Sequence, residues 1–182
     1  MNRRRLLELA FALLLIRAAP LQATPAIADD EPTPPVSEGP FFTPRSPRRR
    51  SIVPAGAPGT RLTLSGRVLT TAGKPVPGAL VDFWQADARG TYDNDGYRFR
   101  GHQLTDSRGR YTLHTVVPGL YPGRTRHIHV KVQRPRGRVL TTQLFFPGVR
   151  ANASDGLYLR ELLVDGWRLV NGKRVARFDF VL

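Results

Sequence analysis

His127 and His129 flank Ile128 in the run Arg126-His127-Ile128-His129-Val130-Lys131-Val132. On a β-strand, residues i and i+2 face the same way. The two imidazoles therefore share a face with Lys131, while Ile128, Val130 and Val132 share the other and can enter a core. Two imidazoles side by side on a rigid strand form a two-toothed clamp for a metal ion. A packed, metal-free pair of histidines has the same spacing.

The other donors decide which metal fits. The chain has no cysteine, which removes thiolate-held zinc, iron–sulfur clusters, a thiol nucleophile and disulfides. A His-plus-carboxylate site for Fe(II) or Mn wants an acid close behind the second His, but position 133 is Gln and the next Glu is Glu161. A zinc site wants a third His or a nearby carboxylate. His102, in a turn-like stretch, and His114, inside a strand, both read as structural. Tyrosine remains: Tyr121 precedes His127 by six residues, and Tyr92 lies in Gly90-Thr91-Tyr92-Asp93. A phenol normally titrates near about pH 10, and a trivalent cation lowers that value. Phenolate is a hard anionic donor, so two Tyr with two His make a ferric donor set. Tyr97, five residues on, competes with Tyr92; Tyr111 opens a strand and reads as core, and Tyr158 as packing.

Short strands must position these groups. Leu62, Leu64, Gly66 and Val68 alternate with polar residues from Arg61 onward, a period of two. Ala79–Gln85, Tyr111–Val117, Arg126–Gln133, Val139–Phe146 and Arg177–Leu182 read as further strands. Turn chemistry separates them at Ala72-Gly73-Lys74-Pro75, Asp106-Ser107-Arg108-Gly109 and Pro135-Arg136-Gly137. One short helix near Leu157–Leu163 is the only helical candidate. Residues 29–60 hold eight prolines, a density that excludes regular helix; they read as an extended arm, packed on the body through Phe41 and Phe42. Residues 61–182 then form one all-β sandwich.

The composition, 41% hydrophobic and 23% charged over 182 residues, is that of one globular domain with an appendage. The net charge of +14 invites a nucleic-acid reading. Yet 25 of the 28 cations are Arg spread along every segment, not clustered on one helix face or arm, so nucleic acid is not expected as a partner. Arg3-Arg4-Arg5, the apolar run Leu9–Ile16 and Ala26-Ile27-Ala28 read as an export signal over residues 1–28, with a twin-arginine character. The apolar run is too short for a membrane span, which needs about 20 residues. The expected location is periplasmic or extracellular.

Several segments together resemble the intradiol ring-cleavage dioxygenases, the family of protocatechuate 3,4-dioxygenase and catechol 1,2-dioxygenase. They are Val81-Asp82-Phe83-Trp84-Gln85-Ala86-Asp87, Gly90-Thr91-Tyr92-Asp93, Leu104-Thr105-Asp106, Pro118-Gly119-Leu120-Tyr121-Pro122-Gly123-Arg124-Thr125-Arg126-His127-Ile128-His129, Thr142-Gln143-Leu144-Phe145-Phe146 and Phe178-Asp179-Phe180-Val181-Leu182. The arm from Thr33 to Phe42 matches as well. The resemblance implies a prealbumin-like, mostly antiparallel sandwich with Greek-key connections. It implies a non-haem Fe(III) held by Tyr92, Tyr121, His127 and His129, with Tyr121 the phenolate that leaves when substrate arrives. Arg124 would stabilise the electron-rich catecholate and Gln143 would line the same pocket. The implied partners are a small aromatic diol and O2, and the product a muconate-type diacid. The chain is short for the family and lacks the N-terminal helical segment of catechol dioxygenases, which leaves the substrate and a homo-oligomeric assembly open. A metal-free binding module of the prealbumin or carboxypeptidase-regulatory kind shares the Gly/Pro turn pattern, but gives no reason for Tyr92, Tyr121, Arg124 and His-x-His to occur together.

Overall fold

The structure, a computed structural model, describes residues 31–182; the export-signal reading lies outside the described residues. Nine strands make up the body: β1 (Arg61–Leu69), β2 (Leu80–Trp84), β3 (Arg100–Leu104), β4 (Arg110–Val116), β5 (His127–Gln133), β6 (Val139–Phe145), β7 (Asp165–Val170), β8 (Lys173–Arg177) and β9 (Phe180–Val181). They form two sheets. One runs β4-β1-β8-β7, with β9 also on β1; the other runs β3-β2-β5-β6. All pairings are antiparallel except β1 with β8 and β1 with β9. Between the sheets lies a core that includes Leu62, Leu64 and Val68 of β1, Val81 and Phe83 of β2, Leu113 of β4, and Ile128, Val130 and Val132 of β5. The alternation seen in the sequence is thus the alternation between core and outer face, and the all-β sandwich is present.

Several expectations need correction. His102 lies within β3, not in a turn. The stretch is too polar and arginine-rich to signal a strand, because its outer face is buried under the arm. The expected strand Arg177–Leu182 is broken: β8 ends at Arg177 and β9 resumes at Phe180. Here Asp179 Oδ1 accepts the Arg67 N–H at 2.8 Å, a bond the ladder would otherwise make. The facing residue must be glycine, since a Cβ on Gly66 would lie 1.7 Å from the Phe178 carbonyl oxygen. Strands β7 and β8 carry no clean alternation and were not expected. In place of the helix near Leu157–Leu163 stand two short 3-10 turns, Arg150–Ala153 and Arg160–Leu162.

The arm is bound along its length. Thr33 exchanges bonds with Val181, Val36 N–H donates to Thr141, Arg49 N–H to His102, and Ile52 N–H to His114. Ser46 Oγ donates to Asp82 Oδ1 at 2.7 Å, and Glu38 pairs with Lys131. The arm therefore covers the outer face of the β3-β2-β5-β6 sheet, and β5 is buried on both sides.

Two loops that carry candidate ligands meet backbone to backbone. Gly119 N–H donates to Asp87 O at 2.8 Å. Gly90 has φ +91°, and a Cβ there would lie 2.0 Å from the Leu120 carbonyl oxygen. Gly90→Ala should therefore force the Tyr92 and Tyr121 loops apart, cost about 3 kcal/mol and lower Tm by roughly 10 °C; a thermal melt indistinguishable from the parent would contradict the close packing.

Candidate active site

Strand register assembles the site. Arg100, Trp84, His129 and Gln143 are direct partners across β3, β2, β5 and β6. Their side chains form one row across the outer face of the sheet, all buried. His127 stands one step along β5, opposite Phe145. Tyr92 reaches in from the loop after β2. Its Oη lies 3.0 Å from His127 Nε2 and 3.0 Å from His129 Nε2, and the two Nε2 atoms are 3.1 Å apart.

The chemistry of this triangle is constrained. His127 Nδ1 is 2.6 Å from Thr125 O, so its N–H donates there and Nε2 presents a lone pair. Burial lowers the His127 pKa to about 4 and pushes that of His129 well below the ordinary imidazole value. Neither ring then carries a second proton near neutrality. The Tyr92 phenol and His129 supply at most two protons for three mutual approaches, so one edge always lacks a hydrogen bond. A cation bound by all three atoms satisfies every edge. His129 Nδ1 has no partner among the described residues, so no second bond fixes its tautomer. Burial also raises the Tyr92 pKa, opposed by the charges of Arg124 and Arg100; a hydroxyl so placed loses its proton when a bound cation displaces it, not by ordinary titration. The donor set, one phenol and two neutral imidazoles without thiolate or carboxylate, fits Fe(III).

The neutral burial of the rings has a pH signature. In the unfolded chain both rings take up protons below about pH 6.5, whereas native His127 resists until about 4. Stability of the metal-free protein should thus be full above about pH 6.5 and fall as pH drops toward 4. NMR titration of the imidazoles checks this, and a native His127 that titrates near 6.5 would contradict it.

Tyr121 sits at the edge of the triangle. Its ring centroid is 5.7 Å from that of Tyr92 and 5.3 Å from that of Phe41. Among the described residues no hydrogen bond joins its hydroxyl to Tyr92, His127 or His129. Tyr121 and Arg124 line a groove of about 480 Å3 with Leu120, Ala151 and Ser154. Arg124 is firmly held: its Nε–H faces Asp155 Oδ2 at 3.0 Å, and Nη2 donates to Gln143 Oε1 at 2.6 Å. Gln143 Nε2 in turn donates to Ser37 O of the arm at 2.8 Å. The structure thus brings Tyr92, His127 and His129 into contact, and couples Arg124 to Gln143 beside them. Tyr97 is elsewhere: its hydroxyl donates to Pro44 O at the surface. Tyr111 is core, bonded to Phe178 O.

Three groups escaped the sequence reading. Asp155, its side chain 2% exposed, binds Arg124 and accepts the N–H groups of Thr125 and Leu157; in Ser154-Asp155-Gly156 it looks like an ordinary turn residue. Arg100, 1% exposed, donates to Phe41 O and Asp93 O and so pins the arm to the Tyr92 loop, but in sequence it is one Arg among many. Gly39, at φ +70°, carries the arm over His129. Beyond it Phe41 stacks on Tyr92 at 4.4 Å and Phe42 meets Trp84 edge-on at 4.9 Å, while Trp84 lies flat on His129 at 4.8 Å. These rings wall the triangle from water.

Known proteins share this arrangement of chain. A family model described as Dioxygenase (Dioxygenase_C) matches residues 37–182. The protocatechuate 3,4-dioxygenase beta chain of Burkholderia cepacia is 35% identical over 60% of this chain and 54% of its own length. The 6-chlorohydroxyquinol 1,2-dioxygenase of Cupriavidus pinatubonensis is 31% identical over 82% of this chain and 64% of its own. This chain thus spans between half and two thirds of the length of those curated relatives. Among solved structures, the dioxygenase domain of a dioxygenase carbohydrate-binding protein fusion from Streptomyces sp. SirexAA-E superposes with a TM-score of 0.81 at 55% identity, over 84% of this chain and 98% of that one. The 3-chlorocatechol 1,2-dioxygenase of Rhodococcus opacus 1CP gives 0.75 at 28% identity, over 84% and 73%. With a family model covering most of its length and the His-x-His strand, both tyrosine loops and Arg124 inside the matched region, the chain belongs to the intradiol ring-cleavage dioxygenase family.

Proposed function

We propose that the protein cleaves catechol-type aromatic rings with O2, between the two hydroxylated carbons, to give a muconate-type diacid. The observation that carries this is the meeting of Tyr92 Oη, His127 Nε2 and His129 Nε2 within 3.0–3.1 Å, next to a fixed guanidinium. Tyr92, His127 and His129 would hold a non-haem ferric ion, with Tyr121 as a fourth donor. Bound there, Fe(III) supplies the charge that draws in a catechol as its dianion and the covalency that opens the ring to O2.

The chain's own residues do the rest. Tyr121 Oη, free of partners in the triangle, is placed at the groove so that, as phenolate, it would take one proton from the incoming diol. Arg124 presents a permanent positive charge to the anionic ring. Asp155 and Gln143 fix its plane, so that little reorientation is needed as charge develops on the substrate. Phe41, Phe42 and Trp84 exclude water, which strengthens each of these interactions.

Reconstitution tests the reading. Metal-free protein given one equivalent of ferric iron should turn burgundy from tyrosinate-to-iron charge transfer, and should consume O2 with catechol, protocatechuate or hydroxyquinol. Colourless protein that keeps stoichiometric zinc instead would sink it. Residues 1–28 add the proposal that the chain is exported; N-terminal sequencing of protein recovered from the periplasm or medium tests that.

A further inference from the structure

On the face of the sandwich opposite the triangle, a groove of about 480 Å3 crosses β4, β1 and β8. Thr112, Ser65 and Arg177 are register partners across these strands, and Arg110 faces Arg67 in the next row. Arg50 comes from the arm, whose Arg50 carbonyl accepts the His114 N–H at 2.8 Å beside β4. The groove therefore has a floor of two hydroxyls ringed by four arginines. Two of these are engaged: Arg67 with Asp179 at 3.1 Å and Arg110 with Asp106 at 2.7 Å. The other two, Arg50 and Arg177, are exposed and make no ion pair or side-chain hydrogen bond among the described residues, although Asp165 of β7 is the register partner of Arg177. Guanidinium groups not tied up in ion pairs thus stand at the two ends of the groove.

The dimensions limit the ligand. Arm, β4, β1 and β8 lie side by side, so Arg50 and Arg177 are three strand spacings apart, roughly 14 Å. A single oxyanion cannot reach both ends, whereas a chain with a charge on each repeat can. Tyr111 lies beneath the groove with its ring buried and its hydroxyl bonded to Phe178 O, so no aromatic face is offered for stacking a nucleic-acid base.

We propose that this groove binds a linear acidic polysaccharide, with its carboxylates on Arg50 and Arg177 as charge-assisted pairs and its hydroxyls on Ser65 and Thr112. The site is on the other sheet from the triangle, so binding is expected whether or not the ring-cleavage reading stands.

The test is calorimetric titration with sodium polygalacturonate at low ionic strength, for the parent protein and two double variants. Arg50→Gln with Arg177→Gln removes the groove's end charges. Arg136→Gln with Arg138→Gln removes the same charge from the exposed β5–β6 turn. The expected result is about a tenfold weaker affinity for the groove variant, near-parent affinity for the turn variant, and much weaker binding of galacturonate monomer. Equal losses in both variants would mean that only net charge is sensed, and would overturn the proposal. No binding to the parent, monomer binding as tight as polymer, or tighter binding of duplex DNA would each overturn it as well. Neither pair of side chains makes a hydrogen bond or ion pair in the fold, so both variants should melt like the parent.

Discussion

Tyr92→Phe should leave a folded protein that no longer holds ferric iron. The substitution removes one oxygen and keeps the ring, so the stack on Phe41 at 4.4 Å and the packing against Trp84 and Ala86 remain. The hydroxyl's contacts with the two imidazoles are worth about 1 kcal/mol to the fold, a small part of the stability of a domain this size. For the metal, the loss is of the one anionic donor in contact with both imidazoles. Changing even an outer-shell partner of a ligand costs 10- to 100-fold in affinity as a rough range, so loss of a direct phenolate should cost on the order of a hundredfold or more. Iron per chain after gel filtration, together with the charge-transfer band, reads this out. Tyr97→Phe is the control: its hydroxyl touches only Pro44 O, so iron and colour should persist. Full iron and an unchanged spectrum in Tyr92→Phe would remove the triangle from the site.

The second large effect is expected at Asp155, which touches neither the triangle nor the groove's mouth and acts through Arg124. Its two oxygens take the Arg124 Nε–H and the backbone N–H groups of Thr125 and Leu157. They therefore fix both the guanidinium and the turn that leads into His127. Asp155→Asn keeps the shape, loses the charge, and points a donor at one of these donors. Ring cleavage should fall by about 10- to 100-fold, mainly in kcat, with iron and colour retained. Asp155→Ala leaves the Arg124 Nε–H and two backbone N–H groups unpaired and should cost about 3 kcal/mol in addition. Loss of the colour in Asp155→Asn would show that the residue shapes the metal centre itself, not Arg124.

The sandwich was legible where one side of a strand met the core and the other met water, as in β1. It was illegible in β3, whose buried positions are Arg100, Gly101 and Gln103. β3 is lined by Arg100 and His102 because its outer face meets the arm, and such a strand shows no apolar rhythm. The His-x-His clamp could be read because its two members are neighbours in sequence and a strand's period is fixed. Tyr92 was harder to separate from Tyr97, since only the loop's path decides which phenol turns inward. Asp155 and Arg100 could not be found at all: the partners that give them their roles, Arg124 and Phe41, are 31 and 59 residues away. A carboxylate beside a glycine, or an arginine in an arginine-rich chain, looks the same whether it is buried or solvated.

The parallel pairing of β1 with β8 and β9 bears on how the chain comes to fold. Leu62–Leu69 is made more than a hundred residues before the strands that flank it, Leu62 pairing with Arg174 and Val68 with Phe180. As the polypeptide leaves the ribosome, its first strand finds β4 early, but it waits for nearly all the rest before its other edge is covered. Thr33 waits too, since it is fastened to Val181. A nascent chain halted short of its final residues thus leaves one edge of β1 bare and Thr33 unfastened, while Pro34 and Val36 are already held by β6 and Phe41 by Arg100.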